Sequence, residues 1–229
     1  MRPYVFVNIA SSLDGKISDE TRKQVRISCK EDLRRVDELR ASADAIMVGI
    51  GTILSDNPKL NVKSEELRKK RILEGKEENP IKVVVDSRCR IPENAEVFNS
   101  KVILAVSKLA DKEKVERINK KAEVVAFGEE KVDLKALLEY LYKKGVRKLM
   151  VEGGGTLISS LLREDLVDEM FIYYAPIIIG GEKSPTICDG NSFNPALRMK
   201  IVSVERFGEG VLLRITRSDS NMSIQNKKP

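Results

Sequence analysis

Glu152 ends an apolar run and is followed at once by three glycines and a threonine in "VEGGGTL", residues 151–157. Glycines between a strand and a helix free the first backbone N–H groups of that helix to hold an anion. A carboxylate in the same place repels phosphate and suits the hydroxyls of a sugar. The bland reading is a sharp turn with an acid complementing the helix dipole. A second glycine turn, "VGIGTILSDNP" (48–58), places Gly49 and Gly51 after a strand and Thr52 in the helical turn that follows. G-x-G-x-x-G fails in both, at Leu54 and at Ile158, and no Gly-Lys-Ser/Thr occurs. Each alone reads as a tight turn as readily as a phosphate site. Two in one sheet suit one shared dinucleotide cleft.

"VVVDSRCR" (83–90) ends a strand on Asp86, followed by Ser87, Arg88 and Arg90. An acid at a strand end can hold ribose hydroxyls, and a Ser/Arg pair suits a 2′-phosphate, favouring NADP over NAD. A solvated turn fits the same residues. "SSLDGK" (11–16) reads as a turn, with Lys16 facing water or an anion. Arg34, Arg35 and Arg40 share one helix. Most such arginines are solvated; Arg40, at the helix end, is placed to reach a substrate phosphate.

The elements that must position these residues alternate. Strands are expected at 4–10, 45–50, 81–86, 101–107, 123–127 and 148–153, from apolar runs of strand length. Helices are expected at 28–43, 111–122, 133–145 and 156–164, the first with Ser28 as N-cap and Glu31 completing a capping box. The charged stretch 64–79 reads as a surface excursion containing a helix. Such alternation predicts a mainly parallel sheet with helices on both faces, whose ligands bind beyond the carboxyl ends of the strands. Strand-like segments at 167–179, 199–207 and 211–217, the last two joined by "GEG", predict antiparallel strands at one edge. Residues 1–217 are read as one domain and 218–229 as a polar tail.

The 229 residues carry a net charge of +6 and no histidine. Without histidine there is no Ser-His-Asp triad and no HExxH zinc site. Basic charge attracts nucleic acids and phosphorylated metabolites alike. Here it is dispersed and aromatics are 5%, which argues against a nucleic-acid platform. No apolar run reaches membrane-spanning length. The first residues read as a strand rather than a leader, so the expected location is the cytoplasm. Cys29, Cys89 and Cys188 are read as small, mostly buried hydrophobes.

Taken in order, "SLDGK", "RISCKEDLRRVDELRASADAIMVGIGTILSDNPKLNV", "VVVDSR", "VEGGGTL" and "DEMFIYYAPIIIGG" resemble the reductases of riboflavin biosynthesis. The likeness is to the archaeal stand-alone type that acts on 2,5-diamino-6-ribosylamino-4(3H)-pyrimidinone 5′-phosphate, and it spans about Pro3 to Thr216. It implies a dihydrofolate-reductase-like fold, a homodimer, and an NADPH-dependent reduction of ribosylamino to ribitylamino, with NADH accepted less well. The ring would open to an imine whose C1′ accepts hydride. The resemblance implies cofactor contacts at Ala10, Arg26, Thr52, Asp56, Asp86, Ser87, Arg88, Val132, Gly153, Gly154, Gly155 and Thr156. It implies substrate contacts at Asn8, Gln24, Arg40, Leu60, Lys63 and Glu152. Arg40 and Lys63 then suit the 5′-phosphate by charge, and Glu152 is the best catalytic candidate, orienting the sugar.

Bacterial relatives often carry a zinc deaminase domain ahead of this reductase; the deaminase motif is absent here, so no metal is expected. Relatives also often have Lys at the position of Asn8, Ser at Gln24 and Trp at Arg26. Two other readings are another pteridine or dihydrofolate reductase on the same fold, and a nucleotide- or RNA-binding module.

Overall fold

A computed structural model describes residues 1–23 and 25–218. The strands are β1 (Tyr4–Ser12), β2 (Ala45–Gly49), β3 (Ile81–Val85), β4 (Val102–Val106), β5 (Glu123–Ala126), β6 (Lys148–Val151), β7 (Glu169–Ala175), β8 (Met199–Phe207) and β9 (Gly210–Arg217). The helices are α1 (Lys30–Ser42), α2 (Ile50–Asp56), α3 (Glu65–Leu73), α4 (Lys112–Ile118), α5 (Leu134–Lys143) and α6 (Gly155–Arg163). All nine described strands join one sheet in the order β5-β4-β3-β2-β6-β1-β7-β9-β8. β1 to β7 run parallel, and the β8–β9 hairpin is added antiparallel at the β7 edge. This is the expected architecture.

Apolar residues on both faces of the central strands make two cores. Along β1, Val5, Val7 and Ile9 point into one core and Phe6 into the other. α5 and α6 cover the first core. α5 presents Leu134, Leu137, Leu138 and Leu141, a spacing that puts all four on one helical stripe. α6 buries Leu157, Ile158, Leu161 and Leu162, each side chain contributing roughly 1.5–3 kcal/mol. α1, α2 and α4 cover the second core through Val36, Leu39, Ile50, Ile53, Val115 and Ile118. α3 packs outside α1, where the buried Arg71 guanidinium donates to the Ala41 and Ala43 carbonyls. A cation there complements the helix C-terminus.

Side-chain caps from Ser64, Asp111 and Asp133 start α3, α4 and α5. The start of α1 differs from expectation. The cap is Cys29, whose extended backbone lets Sγ accept from the Asp32 N–H at 3.4 Å, so Ser28 lies one residue outside the helix. The cysteines also differ: Cys89 is buried, whereas Cys29 and Cys188 are partly exposed. The tail beyond Ser218 lies outside the described residues.

Candidate active site

The two glycine turns meet. β2 and β6 are neighbours, with Met47 beside Val151. One step beyond, the Glu152 N–H donates to the Met47 carbonyl and the Gly49 N–H to the Gly153 carbonyl, both at 3.0 Å. α2 and α6 therefore begin side by side at the carboxyl ends of the strands, and neither has a side-chain cap. Their first-turn N–H groups are left for a ligand. The Gly153–Gly154 peptide is cis, and Gly153 has φ +112°. A Cβ on Gly154 would lie 3.7 Å from the Thr52 hydroxyl, so the two turns touch across the cleft.

The glycines have different physical reasons. A Cβ on Gly155 would meet the Thr186 carbonyl at 2.3 Å and an Asp189 oxygen at 2.8 Å. Gly155 is thus required by the chain's own 186–189 loop, whose Asp189 N–H donates to the Gly155 carbonyl at 3.2 Å. The absence of a Cβ at Gly155 therefore has a packing reason within the chain, while its backbone N–H lies in the uncapped first turn of α6. At Gly51 nothing lies within 4 Å of an added Cβ and φ is ordinary. Alanine there would suit the helix better, so this glycine keeps open space over the cleft. Thr156 is exposed at the start of α6, and Thr52 and Asp56, four residues apart on α2, share one helical face.

Asp86 is fully buried. Its Oδ2 accepts from the Ile91 N–H at 2.8 Å, closing the turn after β3. Burial raises its pKa, against the hydrogen bond from Ile91 and the charge of Arg90. Its Oδ1 is buried without a hydrogen-bond partner among the described residues, and the carboxylate shapes the turn that presents Ser87 and the exposed Arg88. Val132 is likewise buried, and its N–H donates to Ser87 Oγ at 3.1 Å. The loop after β5 therefore fixes Ser87, and the Val132 side chain packs into the first core.

On the α1 face of the sheet, Glu152 meets Arg40. Nε donates to Oε1 and Nη2 to Oε2, both at 2.6 Å, and Nη1 donates to the Asn61 carbonyl at 3.1 Å. Burial opposes the Arg40 charge, but Glu152 more than offsets this and raises its pKa. Three of the five guanidinium N–H donors are spent within the protein, so Arg40 anchors the acid, and one N–H on each Nη carries no protein partner. Lys63 remains exposed. Its backbone N–H and that of Ser64 are held by the buried Asp37 of α1, at 2.6 and 2.7 Å. The Leu60 side chain is 3% exposed and belongs to the second core. Its backbone is held at φ +54°.

Asn8 is 6% exposed and its Oδ1 accepts from Arg35 Nη2 at 2.7 Å. Ala10 follows two residues on, partly exposed, and Arg26 lies exposed in the segment before α1. Gln24 lies outside the described residues. "SSLDGK" folds as a turn, with the Asp14 carboxylate accepting from the Ser12 hydroxyl and from the Ile179 and Gly180 N–H groups. These bonds, the hydroxyl's foremost, lower its pKa to about 2. Lys16 pairs with Thr186 in a short bridge and its Nζ reaches the Ser184 carbonyl.

Sequence alone singles out neither Asp37 nor Asn61 and groups Arg35 with the solvated arginines. The available signal was helical phase: Arg34 and Arg35 point about 100° apart, and their side chains are 75% and 12% exposed.

The chain matches the RibD C-terminal domain family over residues 3–213. It is 64% identical over 212 residues to the 2,5-diamino-6-ribosylamino-4(3H)-pyrimidinone 5′-phosphate reductase of Archaeoglobus fulgidus, covering 92% of this chain and 96% of that protein. Among solved structures it is similar to the diaminohydroxyphosphoribosylaminopyrimidine deaminase/5-amino-6-(5-phosphoribosylamino)uracil reductase of Thermotoga maritima. The TM-score is 0.76 at 27% identity, covering 95% of this chain and 57% of that one, so this chain spans just over half its length. Dihydrofolate reductase from Enterococcus faecalis aligns with TM-score 0.53 at 12% identity, over 94% of this chain and 97% of that one. That likeness is one of fold: the sheet is dihydrofolate-reductase-like.

Proposed function

The chain belongs to the RibD C-terminal domain family, and from that premise we propose that it is an NADPH-dependent reductase of riboflavin biosynthesis. Its substrate is 2,5-diamino-6-ribosylamino-4(3H)-pyrimidinone 5′-phosphate, whose ribosylamino group becomes ribitylamino. The observation that carries this reading is the division at residue 152. The paired glycine turns lie on one side, and an arginine-anchored carboxylate lies on the α1 side.

The residues fit a dinucleotide. The uncapped start of α6 and the open space at Gly51 suit a pyrophosphate, and Ser87 with Arg88 suits a 2′-phosphate. Bound there, NADPH supplies the hydride. The chain's part is alignment and exclusion of water. Glu152 accepts hydrogen bonds from sugar hydroxyls, and the exposed Lys63, with Arg40 nearby, suits the 5′-phosphate by charge. The working unit is proposed to be a homodimer in the cytoplasm; the exposed Ile201 and Val204 on the edge strand β8 support a subunit contact. No helix of the described residues is long and apolar enough to cross a membrane.

The test is cofactor oxidation with the ribosylamino-pyrimidinone phosphate against dihydrofolate as substrate. Turnover of the first only, faster with NADPH than with NADH, supports the proposal. Turnover of dihydrofolate alone overturns the substrate, and no turnover of either overturns the activity.

A further inference from the structure

Asn8 and Glu152 each follow the last paired residue of the β1–β6 ladder. The β1–β6 register pairs Val7 with Val151, so one residue on, Asn8 and Glu152 share the opposite face. Each is held by an arginine from α1, Arg35 on Asn8 and Arg40 on Glu152. Arg35 is itself fixed. Its Nε and Nη2 donate to Asp32 Oδ1 at 3.0 and 2.7 Å. Its guanidinium lies 5.9 Å from the Phe171 ring centre and 6.0 Å from that of Phe207.

An arginine carries only donors. An amide beside Arg35 must turn its oxygen toward the guanidinium. The Asn8 oxygen is therefore committed, and its Nδ2 faces away from α1. Nδ2 has no hydrogen-bond partner among the described residues and is not among the sealed, unpaired polar atoms.

We infer that Arg35 is a positioning residue that fixes the Asn8 amide, so that the cleft presents a donor, Asn8 Nδ2, beside an acceptor, Glu152. A hydroxyl can satisfy both, accepting from the amide while donating to the carboxylate. The pair therefore recognises a neutral polyhydroxy segment and sets the direction of its hydroxyl protons. This rests on the reductase reading, with the sugar of the substrate as that segment.

The test compares Asn8→Asp, Arg35→Lys and Arg35→Met, each checked for an unchanged melting temperature. Asn8→Asp keeps an acceptor for Arg35 but turns a second acceptor toward the cleft; its kcat is expected to fall at least about tenfold, with NADPH affinity retained. Lysine, also a donor only, should hold the amide and keep most turnover, whereas methionine frees it to rotate and should lose several-fold more. Equal losses in the lysine and methionine variants, or a wild-type kcat in Asn8→Asp, overturn the inference. An unmutated enzyme without turnover overturns the reductase reading instead. The amide orientation is then read by the Asn8 side-chain NH2 resonances in NMR. Fast exchange with solvent supports it, and protons protected by the protein interior overturn it.

Discussion

Arg40 and Glu152 form a bidentate pair between the last turn of α1 and the end of β6, with both side chains less than one-fifth exposed. Two charge-assisted bonds at fixed geometry define where the carboxylate points. Glu152→Gln is expected to lower turnover by about 10²-fold through lost orientation, with the NADPH dissociation constant little changed. Arg40→Met should lower kcat in parallel. If Arg40 instead held the 5′-phosphate, its loss would raise KM and spare kcat, a split that steady-state kinetics resolves. Arg40→Met should also destabilise by about 3 kcal/mol, because it leaves a largely buried carboxylate unpaired, and adding Glu152→Gln should restore part of this.

Arg88 tests the cofactor. It is exposed next to Ser87, on the turn that buried Asp86 closes. Arg88→Ala should weaken NADPH by roughly 10- to 100-fold, the worth of a charged hydrogen bond, and leave NADH nearly unchanged. Equal weakening of both in a titration would remove Arg88 from the 2′-phosphate.

Gly51 and Gly155 should respond oppositely to alanine. Gly155→Ala drives a methyl into the Thr186 carbonyl and is expected to destabilise by about 1–3 kcal/mol. Gly51→Ala has open space and should stabilise by up to about 1 kcal/mol while weakening NADPH. Denaturant melts with and without cofactor distinguish the two. A Gly51→Ala variant that binds NADPH normally would show that no ligand approaches that turn.

Lys82 gives a pH signature. It is wholly buried on β3, and Nζ donates to the Asn99 side chain and the Val97 carbonyl. Burial, reinforced by the nearby Arg40 charge, lowers its pKa to about 8. The unfolded chain therefore holds this proton longer than the folded one. Between about pH 8 and pH 10, stability should rise with pH by up to about 1.4 kcal/mol per unit from this residue. Lys82→Met should flatten that rise in urea melts taken across the interval; an unchanged slope would assign it to other groups.

Much of the fold was legible in the sequence. Apolar runs of strand length, amphipathic helices such as α5, and the "GEG" hairpin each encode their own local geometry, and their alternation prescribes a parallel sheet. The positions of the glycine turns were legible for the same reason: backbone freedom is a local property. Which side chain meets which was not. Sequence could not show that the helix phase sends Arg35 to Asn8 and Arg40 to Glu152, because those contacts join segments 27 and 112 residues apart. Nor could it show that Gly155 serves the 186–189 loop, or that Asp86, Leu60 and Val132 turn their side chains inward. Sequence determined the residue types at the ends of the strands. Tertiary packing decided which of them are spent on one another and which remain free for a ligand, since a hydrogen bond made within the protein is withdrawn from the cleft.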